Sequence, residues 1–289
     1  MTVDQADSLR QLVSGGEAAR PPVRVVAVTS GKGGVGKTHV ACNLAVLAAR
    51  AARRVLLLDA DLGLANADLV LGVAPHHHLG DVLGGAVRLE EALAEGPGGI
   101  RILAASSGVQ QLTRLGDAEK LRLVGALDAL ADRFDLVLVD CAAGIGDNVL
   151  FFAGAAQEVL LVVSPEPTAL SDAYATVKVL SQQAGVERFR VVVNPAATEA
   201  HGREQFARLT SVTDRFLGAH VSFLGHVPRD ESVARAAMAQ RALVELFPRA
   251  AATRALQHIG RALLATPPPA SLQGGLRFLS DRIRREGAA

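Results

Sequence analysis

Tryptophan is absent from this 289-residue sequence, and aromatic residues make up only 3% of it. A hydrophobic core must therefore be built from aliphatic side chains. Two cysteines, Cys42 and Cys141, are too few for a disulfide framework and lack the spacing of a metal site. They are typical of small buried hydrophobic residues in a reducing cytosol. The formal net charge is only +1, which gives no general electrostatic reason to bind nucleic acid, and we expect no direct contact with it.

Long apolar runs are missing as well. No run approaches the ~18 residues that a helix needs to cross a bilayer. The N-terminus also lacks the basic and apolar pattern of a secretory signal. We therefore expect a cytoplasmic protein that is at most peripheral to a membrane.

Short apolar runs alternate with helix-like stretches along the chain. The runs are continuous in hydrophobicity, which is typical of strands covered on both faces. They are residues 23–30, 54–59, 100–105, 134–140, 158–164 and 189–194. The stretches with helical spacing are residues 37–52, 118–132, 168–184, 203–217 and 249–265. This alternation predicts an α/β fold, a doubly wound and mostly parallel sheet flanked by helices.

The segment SGKGGVGKT, residues 30–38, indicates the chemistry. It follows the first predicted strand, opens the first predicted helix and fits the phosphate-loop pattern G-x-x-x-x-G-K-[ST] from Gly31 to Thr38. Its glycines let backbone N–H groups surround phosphates at the positive end of a helix. Lys37 is expected to reach the β- and γ-phosphates of a bound nucleotide, and Thr38 to ligate Mg²⁺.

A second lysine in this loop, Lys32, makes the motif more specific. The sequence KGGVGKT resembles the deviant Walker A box of the MinD/ParA class of P-loop ATPases. The resemblance implies a homodimer that sandwiches two ATP molecules, with Lys32 contacting the nucleotide of the partner subunit. The expected nucleotide-binding residues of the loop are Gly31, Lys32, Gly33, Gly34, Val35, Gly36, Lys37, Thr38 and His39.

Two further segments resemble the switch regions of this class. In LLLDADLGLANADLVLG, residues 56–72, the resemblance implies that Asp61 positions the attacking water and that Asp59 supports the metal. In LVLVDCAAG, residues 136–144, it implies that Asp140 binds Mg²⁺. Open α/β sheets bind their ligands at the carboxyl ends of strands, where these carboxylates fall. The expected catalytic residues are Lys32, Lys37 and Asp61, and the expected metal-binding residues are Thr38, Asp59 and Asp140.

The base of the nucleotide is assigned by the same resemblance. VVVNP, residues 191–195, contains Asn194, which resembles the adenine-reading asparagine of the class. GHVPRD, residues 225–230, resembles the loop that closes over the base. This loop contributes Pro228, Arg229 and Asp230. The resemblance runs over residues 23–265, which we predict to be the ATPase domain.

Other residues are given structural interpretations. Three consecutive histidines, residues 76–78, cannot all converge on one metal ion, which favours a solvated loop. Tyr174 and Met238 are interpreted as core residues.

The N-terminal segment narrows the class. DQADSLRQL, residues 4–12, resembles the D-Q-A-x-x-L-R element of the FlhG/FleN family of MinD-like ATPases, which control flagellar number and placement. The matching residues are Asp4, Gln5, Ala6, Leu9 and Arg10. A MinD-type regulator of the division site, a ParA-type partition ATPase and a non-hydrolysing adaptor remain as alternatives. Retention of Asp61 argues against the adaptor.

The family resemblance also implies partners. Residues 1–22 are predicted to be an activator helix and its tether, in which Gln5 stimulates hydrolysis by the flagellar GTPase FlhF. Flagellar switch components and the transcriptional regulator FleQ are further implied partners. Thr2 and Gln5 also fit a capping box, so a helix start without a partner is the alternative.

Residues 266–289 are predicted to be a linker and an amphipathic helix. Four apolar residues of this segment fall on one helical face. They are Leu272, Leu276, Leu279 and Ile283. The pattern resembles the membrane-targeting helices that end MinD-class proteins, and it predicts binding to the inner face of the cytoplasmic membrane in the ATP state. A last helix docked on the domain is the alternative.

Overall fold

The computed structural model describes residues 23–105 and 115–266. The predicted N-terminal helix and tether, residues 1–22, lie outside these ranges. So does the predicted membrane-binding face of the C-terminal segment, which follows residue 266.

Eight strands form one sheet. They are β1 (Arg24–Ser30), β2 (Val55–Ala60), β3 (Ala94–Glu95), β4 (Arg101–Leu103), β5 (Leu136–Ala143), β6 (Glu158–Val163), β7 (Arg188–Val193) and β8 (His220–His226). Their order across the sheet is β3-β4-β2-β5-β1-β6-β7-β8. Neighbouring strands pair in parallel, except that the short β3 is antiparallel to β4. The predicted doubly wound, mostly parallel sheet is therefore confirmed.

Helices connect the strands. They are α1 (Lys37–Arg50), α2 (Ala67–Leu71), α3 (Leu79–Leu83), α4 (Leu89–Ala92), α5 (Asp117–Leu130), α6 (Asp147–Ala155), α7 (Pro167–Ala184), α8 (Glu199–Phe216), α9 (Glu231–Met238), α10 (Leu243–Leu246) and α11 (Ala251–Ala265). Single 3₁₀ turns lie at Pro97–Gly99 and Ala131–Arg133. Among the residues described, no helix is long and apolar enough to span a membrane.

The sheet is covered on both faces because alternate strand residues point to opposite sides. In β1, Val25 and Ala27 join the cluster that includes α5, α6, α7 and α8. Val26 and Val28 join the cluster on the other face, which includes α1 and α11. These layers are aliphatic, as the scarcity of aromatic residues predicts. They leave the carboxyl edge of the sheet to the loops that follow the strands.

The six predicted strands are all present, with ends shifted by a few residues. Two strands were not predicted, β3 and β8, and both lie at the edges of the sheet. The interpretation of Met238 as a core residue is wrong, since 79% of its surface is exposed. It lies two residues after the buried Ala236, about 200° further round the helix, and therefore on the solvent side. Tyr174 is half-buried and packs on the core.

A group of buried charged side chains lies where the parallel strands begin, at the end of the sheet away from the phosphate loop. Glu158 accepts a hydrogen bond at Oε1 from Arg24 Nε at 2.7 Å, and its Oε2 pairs with Arg190 Nε at 2.7 Å. Arg24 also donates through Nη1 to the carbonyl oxygens of Leu263 at 2.6 Å and Thr266 at 2.9 Å. We call Arg24, Glu158 and Arg190 the basal triad. It fixes the end of α11 to the first strand.

Candidate nucleotide-binding site

The phosphate loop joins β1 to α1 at the carboxyl edge of the sheet. Gly34 and Gly36 have positive φ angles of 78° and 85°, a region that side chains disfavour. The turn ends at Lys37, the first residue of α1, so the free N–H groups of that helix open toward the loop. A loop of this form can hold an anion by backbone donors and the helix dipole.

Gly31 is required by close packing. A Cβ atom on this residue would lie 2.4 Å from the carbonyl carbon of Asp172 and 2.7 Å from the nitrogen of Ala173, both in the backbone of α7. Backbone atoms of a helix cannot move aside as a flexible side chain can. The first glycine of the motif therefore lets α7 lie against the loop.

Two of the predicted carboxylates lie side by side. Asp59 near the end of β2 is the register partner of Asp140 in β5, and both residues are fully buried. Burial raises the pKa of each carboxyl group. The charge of Asp59 raises the pKa of Asp140 further, and the charge of Asp61 does the same to Asp59. Two adjacent buried carboxylates need positive charge nearby to remain ionised together.

Asp140 carries the clearest sign of a cation-binding site. Both of its carboxylate oxygens are buried without a hydrogen-bond partner in the described part of the chain. Lys37 and the hydroxyl of Thr38 lower the pKa of Asp140, so these two groups stabilise part of its negative charge. Magnesium prefers carboxylate and hydroxyl oxygens of this kind, together with phosphate oxygens. Asp140 and Thr38 therefore fit a Mg²⁺ site.

The carboxylate of Asp59, unlike that of Asp140, accepts hydrogen bonds from backbone N–H groups. Its Oδ1 accepts the N–H of Asp61 at 3.0 Å, and its Oδ2 accepts the N–H groups of Asn66 and Ala67, each at 3.0 Å. These bonds hold the loop between β2 and α2 by its backbone. The support of the metal by Asp59 stays a prediction, and in this geometry the carboxylate holds the loop that carries Asp61.

Asp61 faces the phosphate loop. Its Oδ2 lies 3.9 Å from the Nζ of Lys37, and the Lys37 side chain is 9% exposed. Its Oδ1 accepts the N–H of Leu64 at 3.3 Å. Asp61 thus stands beside the lysine that the motif directs to the γ-phosphate, where a carboxylate can orient water.

Lys32 points away from Lys37. Its Nζ donates to Glu166 at 2.7 Å, and both side chains are about half exposed, at 46% and 59%. The hydrogen bond with Glu166 raises the pKa of Lys32, and Asp172 adds to this effect. The structure therefore separates the two lysines of the loop into one that faces the buried carboxylates and one that faces solvent.

The predicted base-binding residues lie next to the loop. Asn194 donates through Nδ2 to the carbonyl oxygen of Val35 at 2.7 Å, and its side chain fills the space where a Cβ of Gly36 would lie. The segment that contains Pro228 is held beside Asn194, because the N–H of Val227 donates to the carbonyl oxygen of Val193 at 2.9 Å. The adenine assignment of these residues stays a prediction.

Arg229 and Asp230 differ in their surroundings. Arg229 is exposed. Asp230 caps two helices, since its carboxylate accepts the N–H of Ser232 at 2.9 Å and that of Ala252 at 3.1 Å. These bonds lower the pKa of Asp230. Nucleotide binding by Asp230 stays a prediction, and in this structure its carboxylate caps the two helices.

Sequence reasoning did not identify Glu166 and Asp172, which face Lys32 and Gly31. Glu166 follows the end of β6 by three residues, and an acidic residue just after a parallel strand is a sequence signal that could have identified it.

The histidines at 76–78 lie on a partly exposed turn. Among the described residues no cluster of histidine, cysteine and acidic residues is arranged to hold a metal. Both cysteines are buried, as predicted.

Comparison with known proteins agrees with this geometry. Residues 26–244 match the family described as the CobQ/CobB/MinD/ParA nucleotide binding domain. The antiactivator FleN of Pseudomonas aeruginosa is 48% identical over 262 residues, which are 91% of this chain and 94% of FleN. The flagellum site-determining protein YlxH of Helicobacter pylori is 29% identical over 264 residues, 90% of this chain and 89% of YlxH.

A solved structure is also similar. It is the septum site-determining protein MinD of Pyrococcus horikoshii, complexed with Mg-ADP. Its TM-score is 0.68 at 26% sequence identity, and the match covers 86% of this chain and all of that one.

Proposed function

Because the chain belongs to the CobQ/CobB/MinD/ParA nucleotide-binding family and is an ATPase of its MinD/ParA type, we propose that it is an ATP-dependent dimerising switch that controls flagellar number and placement. The relatives FleN and YlxH support the flagellar role. The observation that carries the enzymatic part is the buried carboxylate of Asp140 beside Lys37 and Thr38, whose oxygens accept no hydrogen bond within residues 23–105 and 115–266. Without a metal ion, this buried charge would have only Lys37 and the Thr38 hydroxyl to compensate it.

The residues divide the work of hydrolysis. Backbone N–H groups of the loop and Lys37 hold the β- and γ-phosphates, and they stabilise the charge that develops there. Mg²⁺, held by Thr38 and Asp140, would supply further compensation of phosphate charge. Asp61 accepts a hydrogen bond from water and orients it toward the γ-phosphorus. Asp59 keeps Asp61 in place through the backbone of the loop.

Lys32 is the residue through which each subunit of the proposed dimer would complete the nucleotide site of the other. Its side chain is exposed and held by Glu166 of its own chain, so it can exchange this partner for the phosphates of a facing subunit. Each site would then be complete only in the dimer, and hydrolysis would be slow because it waits for assembly. The switch is on when two ATP molecules hold the subunits together and off after hydrolysis.

Light scattering with size-exclusion chromatography tests this scheme. With ATP and Mg²⁺ the wild-type protein is expected to dimerise, and Asp61→Ala to remain a dimer because it binds but does not hydrolyse. Lys32→Ala is expected to stay monomeric. Lys178→Ala, which removes an exposed lysine of α7, is the matched control and should behave as wild type. A monomeric Asp61→Ala protein in ATP would contradict the scheme.

The flagellar output is proposed to pass through residues 1–22. By family resemblance this segment binds the GTPase FlhF, where the amide of Gln5 orients the attacking water. Asp4, Ala6, Leu9 and Arg10 fix the helix on its partner. Flagellar switch components and FleQ remain predicted partners, and residues 266–289 are proposed to place the ATP dimer on the inner face of the cytoplasmic membrane.

A peptide of residues 1–22 tests the first of these contacts. It is expected to accelerate GTP hydrolysis by the cognate FlhF, and Gln5→Ala to abolish the effect. Gln11→Ala, a glutamine of the same peptide outside the matched motif, should retain it. Full stimulation by a protein that lacks residues 1–20 would refute the assignment.

In cells, deletion of the gene separates the flagellar role from a division role. Extra or misplaced flagella, counted by electron microscopy, support the proposal. Minicells with unchanged flagella would instead indicate a regulator of the division site.

A further inference from the structure

A groove lies along the outer side of β8, which is separated from β1 in the sheet by β6 and β7. Its walls are α8 and α11, and its volume is about 740 Å³. Ser222 to His226 of β8 form one side of it, and Thr266 lies at one end. We call this feature the edge groove. Its floor includes Leu224 and Ile259.

The strand in the groove has an unused edge. In the described part of the chain, β8 pairs with β7 and with no second strand. The N–H of His220 donates to the carbonyl oxygen of Glu187 at 2.8 Å, on the β7 side. Because the peptide groups of successive residues alternate between the two sides of a parallel strand, those of Val221 and Phe223 face outward. Unpaired peptide groups of this kind are a template for another strand.

Features that usually protect an edge are few here. The sequence of β8, HVSFLGH, contains no proline, lysine or acidic residue. A bulge after Phe223 interrupts the register with β7, which limits the regular edge to residues 220–223. The edge therefore suits a short extended segment rather than a long strand.

The walls of the groove are basic. Arg254 lines it, and its Nη1 donates only to the carbonyl oxygen of Arg249 at 2.5 Å, with no carboxylate paired to it among the described residues. Arg203 lies 4.9 Å from the ring centre of Phe223 and is paired with Glu199 at 2.7 Å. Arg190 at the lower end shares Glu158 with Arg24. Glu199 is the single acidic residue against three arginines of the lining, and His226 and His258 add further donors.

The segment of this chain that follows residue 266 is not complementary in charge to the edge groove. Residues 267–269 are prolines, which have no N–H to give to a strand edge. Residues 271–286 carry four arginines against Asp281 and Glu286. A basic segment next to a basic wall is repelled, so the complementary occupant is acidic.

We propose that the edge groove binds a short, extended, acidic peptide segment of a partner protein. The segment pairs through its backbone with the outer edge of β8, and its carboxylates meet Arg254 and Arg203. This mode obtains affinity from main-chain hydrogen bonds and specificity from the walls. No residue of the phosphate loop lines the groove, and Pro228, from the segment predicted to close over the base, is the one predicted nucleotide-binding residue in its lining.

Peptide display on the full-length protein tests the proposal. A library of random dodecapeptides is selected on the wild type, and one enriched peptide is synthesised with a fluorophore for anisotropy. We expect enriched sequences to be acidic, and Arg254→Glu to weaken binding by about ten-fold or more. Arg261→Glu, the same change on an exposed residue of α11 outside the groove, is the matched control and should bind as wild type.

Two additional measurements distinguish the mode of binding. Amide hydrogen exchange should show new protection at residues 220–223 when the peptide binds. Lys37→Ala, which disables the phosphate loop, should bind the peptide normally, so failure of the ATPase scheme would not affect this test. Basic or amphipathic winners that resemble residues 271–286 would assign the groove to the chain's own end and overturn the proposal. Equal loss in Arg254→Glu and Arg261→Glu, or no enrichment, would overturn it as well.

Discussion

Glu158→Gln removes the negative charge that lies between the two arginines of the basal triad. Glu158 is 2% exposed, and Arg24 is 6% exposed. The glutamine keeps the shape of the side chain, so the change is electrostatic. Two buried guanidinium groups would then face each other across a neutral amide.

The magnitude follows from burial. Breaking a buried ion pair by removing one partner costs about 3–5 kcal/mol. The lower part of that range applies here, because the Arg190 side chain is 14% exposed and Arg24 keeps the carbonyl oxygens of α11 as acceptors. We therefore expect the free energy of unfolding to fall by about 3 kcal/mol. At about 2–4 °C per kcal/mol for large domains, Tm falls by about 6–12 °C.

Thermal unfolding without nucleotide, followed by circular dichroism, measures this loss. The control is Glu204→Gln, which breaks an exposed ion pair with Arg208 on α8 and should cost less than about 1 kcal/mol. Arg24→Met and the double variant Arg24→Met/Glu158→Gln complete a cycle. The double variant should be less destabilised than the sum of the single variants, with a coupling of about 1–3 kcal/mol. A coupling near zero, or a loss no larger than in Glu204→Gln, would refute the role of the triad.

Two further predictions concern the nucleotide site. Gly31→Ala should lower the free energy of unfolding by about 1–3 kcal/mol in denaturant titrations without nucleotide, because its Cβ meets the backbone of α7. Gly33→Ala, in the same loop with nothing within 4 Å of its Cβ, should stay within about 0.5 kcal/mol of wild type, and equal losses would contradict the packing argument. Asp140→Asn should raise the stability of the nucleotide-free protein, since it removes a buried charge whose oxygens accept no hydrogen bond from the described residues, and should abolish the stabilisation by Mg-ATP. A variant that is destabilised without nucleotide would show that the carboxylate is compensated in some other way.

The sequence predicted the site best where local pattern and position in the sheet coincide. Gly31 to Thr38 sit between a buried strand and a helix, and a short motif in that context has one common geometry. Asp59 and Asp140 follow the same logic, since each lies near the carboxyl end of a parallel strand. These inferences need no knowledge of distant contacts.

The remaining features depend on contacts between distant parts of the chain. Lys32 meets Glu166 across 134 positions, and no local pattern encodes that pairing. The bracing role of Asp59 depends on where the backbone of residues 61–67 turns. The strand β8 was not predicted because an edge strand needs no continuous apolar run, and residues 220–223 alternate polar with apolar side chains. The prediction for Met238 was wrong because the side of α9 that is buried depends on the elements packed against this helix, which its own sequence does not specify.

The basal triad also determines where the described chain begins and ends in space. Arg24 opens β1, and its guanidinium binds the carbonyl oxygen of Thr266, so the two attachment points of the terminal segments are neighbours. The phosphate loop lies at the other end of β1, about 20 Å away for a strand of seven residues. The phosphate loop and the two attachment points therefore lie at opposite ends of β1. Any partner bound through the segment before residue 23 and any surface bound through the segment after residue 266 would be joined to the domain at neighbouring points, on the end away from the nucleotide site.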